Sequence, residues 1–274
     1  MILAGAGIFA MTLGSGCKKE NESTDEDFSA EAQDISQSED ISTSIDNMIA
    51  EAFISNSGSV DGRSSFPSNS DLSGCVTVTR DTPNSTITIH FDHCVGRNGH
   101  MRDGYIIITY SGGNYWTMGA QWDVTFDDFY IDDMAVTGSR HVENMGPESN
   151  GCTWNIDANL VFTRSNASVR TWSSTRTREI IEGYGDNNCS NHVYKINGTA
   201  SHSDRQNDKS ADLTFNDIIR DLDCAYLTSG TITVIRNNSR PQLVIDFGNG
   251  DCDDLATVTR NGRTRTIHLD GGRH

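Results

Sequence analysis

Residues Cys75–Cys94 read CVTVTRDTPNSTITIHFDHC, two alternating runs on either side of a polar Asp-Thr-Pro-Asn-Ser turn. Alternate residues of a strand share a face, so Val76 and Val78 on one run, and Ile89 and Phe91 on the other, mark a hairpin with one buried side. The pattern returns much later. Thr233–Phe247 (TVIRNNSRPQLVIDF) aligns without a gap on Thr77–Phe91, with Thr, Val, Arg, Ile and Phe at matching places. The turns of the two copies differ, as tolerant surface turns do, so the repeat reads as structural. A cysteine stands before and after each copy: Cys75 and Cys94, then Cys224 and Cys252. Antiparallel strands bring those ends together, which makes Cys75–Cys94 and Cys224–Cys252 the economical disulfides and leaves Cys152–Cys189 by elimination. Each contributes about 3 kcal/mol.

Outward from these hairpins, period-two alternation rich in Thr, Val, Ile and Tyr continues from Cys75 to the end of the chain, broken by Gly, Asn and Asp. Asn261-Gly262 and Asn197-Gly198 are turn signals, the former suited to a two-residue hairpin. The expected fold is all-β: a large antiparallel meander of about a dozen strands, closed as a barrel, stacked as a sandwich or left as a long curved sheet. A short N-terminal helix precedes it. Ile41, Ile45, Met48, Ile49, Ala52 and Phe53 recur at helical spacing, which predicts an amphipathic helix over 41–54, followed by a Ser/Gly-rich loop over 55–74.

The first residues speak to location. MILAGAGIFAMTLGSGC is apolar, uncharged and ends at Cys17, too short for a mature membrane span and shaped like the core of a secretory signal over 1–16. Residues 17–40 are polar, acidic and Ser-rich, the composition of a flexible tether. The junction resembles bacterial lipoprotein signals, in which small residues precede an acylated cysteine. That resemblance implies lipidation at Cys17 and an outer-membrane address. Leu13 stands four residues before Cys17 where the pattern has three, and no Lys or Arg precedes the apolar run, which suggests a true start further upstream. A secreted location permits disulfides among the six remaining cysteines.

Acylatable Cys17 followed by Lys-Lys-Glu, the acidic tether, the Cys75 hairpin, GYIIITYSG, TWSSTRTREIIEGYG, GTITVIR and VIDFGNGDCDDLATVTRNGRTRTI together resemble a group of uncharacterised cell-envelope lipoproteins of Bacteroidota. The resemblance spans most of residues 17–269 and implies location and β architecture, with no catalytic residue to carry over.

Charge and motif narrow the chemistry. A formal charge of −17 argues against nucleic acid as a partner. The expected partners are the membrane, through the lipid, and an envelope protein or glycan. No nucleophile elbow occurs, and Glu179 and Glu182, three apart on a strand, face opposite sides. In DFGNGDCDD, Asp246, Asn249, Asp251 and Asp253 alternate like calcium-loop ligands, although the glycine and glutamate of such a loop are missing; no cofactor is expected, with calcium here and zinc or copper at the histidines below as the weaker alternatives. His90, His93 and His100 lie near Asp92; His90 and Asp92 share a strand face, and His93 points away from it if the strand stays regular. Trp172, Arg176 and Arg178 share one strand face, either a wet ladder or a binding surface. Asp127, Asp128, Asp132 and Asp133 read as charges that blunt an edge strand. The expected function is binding or structural, with a glycan-binding or glycan-active protein and a carrier of a hydrophobic ligand as alternatives.

Overall fold

The computed structural model describes residues 23–54, 70–72, 75–96, 99–148, 151–185, 191–206, 208–237 and 240–269. One helix, α1 (Ser23–Ile54), leads into thirteen strands: β1 (Val76–Asp81), β2 (Thr86–Val95), β3 (Met101–Ser111), β4 (Gln121–Ile131), β5 (Met134–Glu148), β6 (Gly151–Arg164), β7 (Val169–Glu182), β8 (Val193–Asp204), β9 (Lys209–Asp221), β10 (Ser229–Arg236), β11 (Leu243–Asn249), β12 (Leu255–Arg260) and β13 (Arg263–His268). Each strand pairs with the next in chain order, so the expected all-β meander is one open antiparallel sheet.

Both copies of the repeat form hairpins. Val78 stands opposite Ile89 in the first, whereas in the second Ile232 faces Ile245 and Val234 faces Leu243. The second register is therefore offset by two residues. An offset of two leaves every side chain on its original face, and Ile89, Phe91, Ile245 and Phe247 are all buried. Cys75 is bonded to Cys94 and Cys224 to Cys252, with Cα separations of 5.5 and 5.6 Å. Cys152 is a buried thiol whose Sγ lies 3.3 Å from Asn144 Oδ1; its expected partner Cys189 lies outside the described residues, as do Cys17 and the signal.

The sheet curls around α1. Arg220 of β9 reaches Asp40 at 3.5 Å, and His100, just before β3, approaches the same carboxylate at 3.9 Å. Six strand-to-strand spacings separate them. In a flat sheet with strands about 4.8 Å apart that distance would be about 29 Å, so the two sides meet at α1 only because the sheet bends round it. Every residue from Ile41 to Ala52 is buried, which encloses the helix on all faces over that stretch.

Part of the bending is built from bulges. The β8–β9 register breaks opposite Gly198 (φ 138°) and that of β10 with its neighbours opposite Gly230 (φ 94°), the extra residue lying on β9 in the first case and on β9 and β11 in the second. A Cβ on either would sit 2.4 Å from Thr175 O or 2.3 Å from Asp217 O, backbone atoms that have nowhere to retreat. Bulges faced by glycines in this way add local twist and coil a sheet. Asn197-Gly198 thus lies inside β8, opposite a bulge at Asp217 of β9, rather than in the turn its composition suggested. Asn261-Gly262 is the expected turn, with both residues at positive φ.

Two further readings change. The helix begins at Ser23, not Ile41, so most of the stretch read as an acidic tether is helical. Phe28, Ala32 and Ile35 recur at four and three and are buried, while the acids between them find partners in the sheet. The Asp-rich run of β4 does not blunt an edge, since β4 lies between β3 and β5. Asp127 and Asp128 occupy a register break in that strand, and Asp132 in the turn after it bonds His100 Nδ1 at 2.6 Å.

Candidate functional site

The inward face of the sheet carries seven buried arginines among the described residues: Arg102, Arg140, Arg170, Arg176, Arg178, Arg220 and Arg236. Arginine is almost never fully buried unless paired, and α1 supplies the pairs. Arg176 binds Glu39 at 2.6 Å and Ser42 Oγ at 2.7 Å. Arg140 binds Asp46 and donates to the same Ser42 hydroxyl at 2.7 Å. Arg178 donates to Asn47 Oδ1 at 2.5 Å while its guanidinium lies 3.6 Å from the centre of the Tyr194 ring. Arg102 bonds Ser44 Oγ at 2.9 Å and Asp71 at 3.1 Å. Nearer the start of the helix, Arg170 holds Asp34 at 2.6 Å and Arg236 holds Glu31 at 3.2 Å. Ser, Thr, Asp and Asn are indifferent helix formers; Ser42, Ser44, Asp46 and Asn47 are there as acceptors for guanidinium groups.

Burial dominates the ionisation of these groups. It pushes the carboxyls of Glu39 and Asp40 above their ordinary value despite Arg176 and Arg220 beside them, and Asp34 likewise beside Arg170. Glu51 is pushed up to about 7, first by burial and then by the negative charge of Asp71. Its oxygens accept from Ser70 Oγ at 2.5 Å and from the Asp71 and Leu72 amides at 3.1 Å each, which fastens residues 70–72 against the helix. His202 is lowered to about 4 by burial and Arg170.

Trp172, Arg176 and Arg178 do share a face, and that face is the interior. All three are buried, so the surface that alternation left ambiguous is the seat of α1. The other aromatics divide: Tyr115, Trp122 and Trp154 are buried, and Tyr115 and Trp122 pack with Phe53 at the end of the helix at ring separations of 5.8 and 5.0 Å. Tyr184 is exposed. Glu179 pairs with Lys195 at 2.7 Å.

The remaining candidates lie outside. Asp246, Asn249, Asp251 and Asp253 line one shallow recess with Gly248 and Thr257. Asp246 and Asp253 already accept the amides of Gly248 and Leu255 at 2.9 and 3.0 Å, as turn aspartates do, and the cluster by itself assigns no ion. The three histidines part company. His100 is buried against Asp132, His90 stacks on Tyr105 with ring centres 4.3 Å apart, and His93 sits between Asp92 (3.3 Å) and Asp103 (3.5 Å). His93 was expected to point away from Asp92. A bulge with His93 at φ 52° turns it back outward instead.

The outer face of β2–β4 consequently gathers an unusual density of chemistry. Tyr105 (38% exposed) lies on His90, and Tyr130 (42% exposed) stands opposite Asp103 on the neighbouring strand. Asp92, His93 and Asp103 bring three polar groups within 4.8 Å of one another beside them. The outer face of the middle strands is mostly polar, with Asp123, Thr125, Asn155, Asp157, Asn159, Ser173, Thr175 and Asp212 exposed, while single apolar side chains such as Met145, Ile235 and Leu255 are exposed on other strands. No alternation rule marks this patch, because it depends on a bulge that re-aims one histidine.

No family model, no curated protein and no solved structure matches the chain.

Two measurements check the interior. Arg176→Met leaves Glu39 buried without its cation and should cost about 3–5 kcal/mol; adding Glu39→Leu should recover a large part of that loss, so the double variant costs less than the sum of the singles. Strict additivity in urea unfolding would contradict the pairing. For Glu51, a carboxyl raised from 4.5 to about 7 binds its proton more tightly when folded. Stability therefore falls as pH rises from about 4.5 to about 7, by up to about 3 kcal/mol. Glu51→Gln should remove that component of the slope; an unchanged pH profile would show that Glu51 does not titrate in this window.

Proposed function

We propose that this chain is a lipid-anchored protein of the bacterial envelope that acts by binding at its outer surface. The anchoring part rests on the apolar run that ends at Cys17. The binding part rests on one observation: the outer face of β2–β4 presents Tyr105 backed by His90, Tyr130 beside it and the carboxylates of Asp92 and Asp103 within the same patch. Exposed aromatic rings offer flat apolar faces, and carboxylates accept hydrogen bonds from hydroxyl groups. The ligand class that matches both is a glycan. The interior favours no hydrophobic cargo, because the space such a ligand would fill is taken by α1 and lined by arginine.

A glycan array probed with fluorescently labelled protein tests the binding. We expect one glycan class to bind and Tyr105→Ala to weaken it about tenfold, the scale of a central aromatic contact. An array without signal, or binding indifferent to Tyr105, would overturn the glycan reading. Cys17→Ser followed by membrane fractionation tests the anchor separately.

A further inference from the structure

Consecutive residues of a regular strand point to opposite faces, yet Asp92 and His93 of β2 are both exposed, between buried Phe91 and Cys94. The cause is the bulge. Phe91 pairs with Gly104 and Cys94 with Arg102, so Asp92 and His93 together face the single residue Asp103 of β3. The backbone on both sides is held in place. Cys94, next to His93, is bonded to Cys75. Gly104, next to Asp103, abuts a second register break in β4, where an added Cβ would lie 1.9 Å from Asp128 O.

Three ligand atoms are brought together by this arrangement. Asp103 Oδ1 accepts the Gly104 amide at 3.0 Å, and Asp103 Oδ2 lies 3.5 Å from His93 Nε2. Nδ1 of the same ring lies 3.3 Å from Asp92 Oδ1. One ligand atom from each residue lies within 4.8 Å of the other two, the only such group among the described residues. His141 and His268 are also exposed beside carboxylates, but each meets a single one, Asp123 and Asp254 respectively. Among the described residues no lysine or arginine pairs with Asp92 or Asp103.

We propose that Asp92, His93 and Asp103 form a binding site for a divalent transition-metal ion of the zinc class. Zinc takes imidazole nitrogen and carboxylate oxygen at about 2.0–2.2 Å, so two ligand atoms on one ion lie up to about 4.3 Å apart. Exposed side chains close the remaining gap by small rotations. Calcium and magnesium take oxygen ligands, so the imidazole selects against them. With a neutral ring the site carries two negative charges, the complement of the ion. Three protein ligands leave a fourth position open to an exchangeable molecule. It opens on the outer face, where Met101 and Tyr105 flank Asp103 along β3 and Tyr130 stands opposite. The inference deepens the glycan reading above and, in this last step, rests on it: a sugar hydroxyl completes the coordination while the sugar ring packs on Tyr105.

The test titrates Zn2+ into the full chain, without a histidine tag and stripped of metal by a chelator, by calorimetry and by NMR of the imidazole protons. One ion per chain is expected to bind, shifting the His93 resonances and leaving those of His141 and His268 in place. Asp103→Asn keeps an oxygen for the Gly104 amide, and His93→Asn suits the φ of 52°, which asparagine tolerates. Each should weaken zinc at least about tenfold while the metal-free unfolding midpoint stays unchanged. No saturable zinc binding, full-strength binding by either variant, or calcium bound as tightly as zinc would overturn the proposal. So would glycan binding that survives chelation undiminished. A silent glycan array beside variant-sensitive zinc binding is a different result: the glycan reading fails and the metal site stands.

Discussion

The structure depends on guanidinium groups of the sheet meeting oxygen atoms of a helix in a place without water. Burying a charge alone costs far more than a domain can spare, so neither partner is acceptable by itself. A sheet whose inner face holds Arg140, Arg176, Arg178 and Arg220 needs a core element that presents oxygens at matching heights. A helix with Glu39, Asp40, Asp46 and Asn47 on several sides needs a wall of donors around it. Asp40 states the constraint most compactly, since donors from before β3 and from β9 converge on it. Apolar layers stand at both ends of this charged belt, with Phe28 at one and the Phe53, Tyr115 and Trp122 cluster at the other. Paired burial of this kind contributes less net stability than an apolar core of equal volume; what it fixes is position. A one-residue slip of β7 would point Thr175 and Thr177 at the helix and Arg176 and Arg178 at water.

This also explains what the sequence made legible. The strands were readable because alternation survives in them, and the two hairpins because cysteines bracket each one. The helix was readable over 41–54, where Ile45, Met48 and Ile49 form an apolar stripe. It was unreadable over 23–40 for a physical reason: Glu31, Asp34 and Glu39 look like solvated tether residues until their partners, more than a hundred positions away, are known. Arg176 and Arg178 were ambiguous on the same account. Alternation assigns residues to a face and does not say which face is inside, and in this chain the inside is basic. The outer patch depended on a bulge at His93, and bulges arise from neighbouring strands, which no local pattern encodes.

The enclosed helix ties the interior to the proposed function. Under the proposed anchoring the start of α1 stands a few residues from an acylated Cys17, and because the sheet is held around that helix, whatever orients α1 orients the whole sheet and the tyrosine patch on it.

Hydrogen exchange on the native protein tests the central claim most directly. If α1 is the element around which the sheet is held, the amides of Ile41–Ala52 exchange only with global unfolding, at the same free energy as those in the middle of β6, β7 and β8. Exchange of the helix at a markedly lower free energy, with those strands still protected, would contradict the account, because it would mean that the arginine-lined sheet stands without the helix inside it.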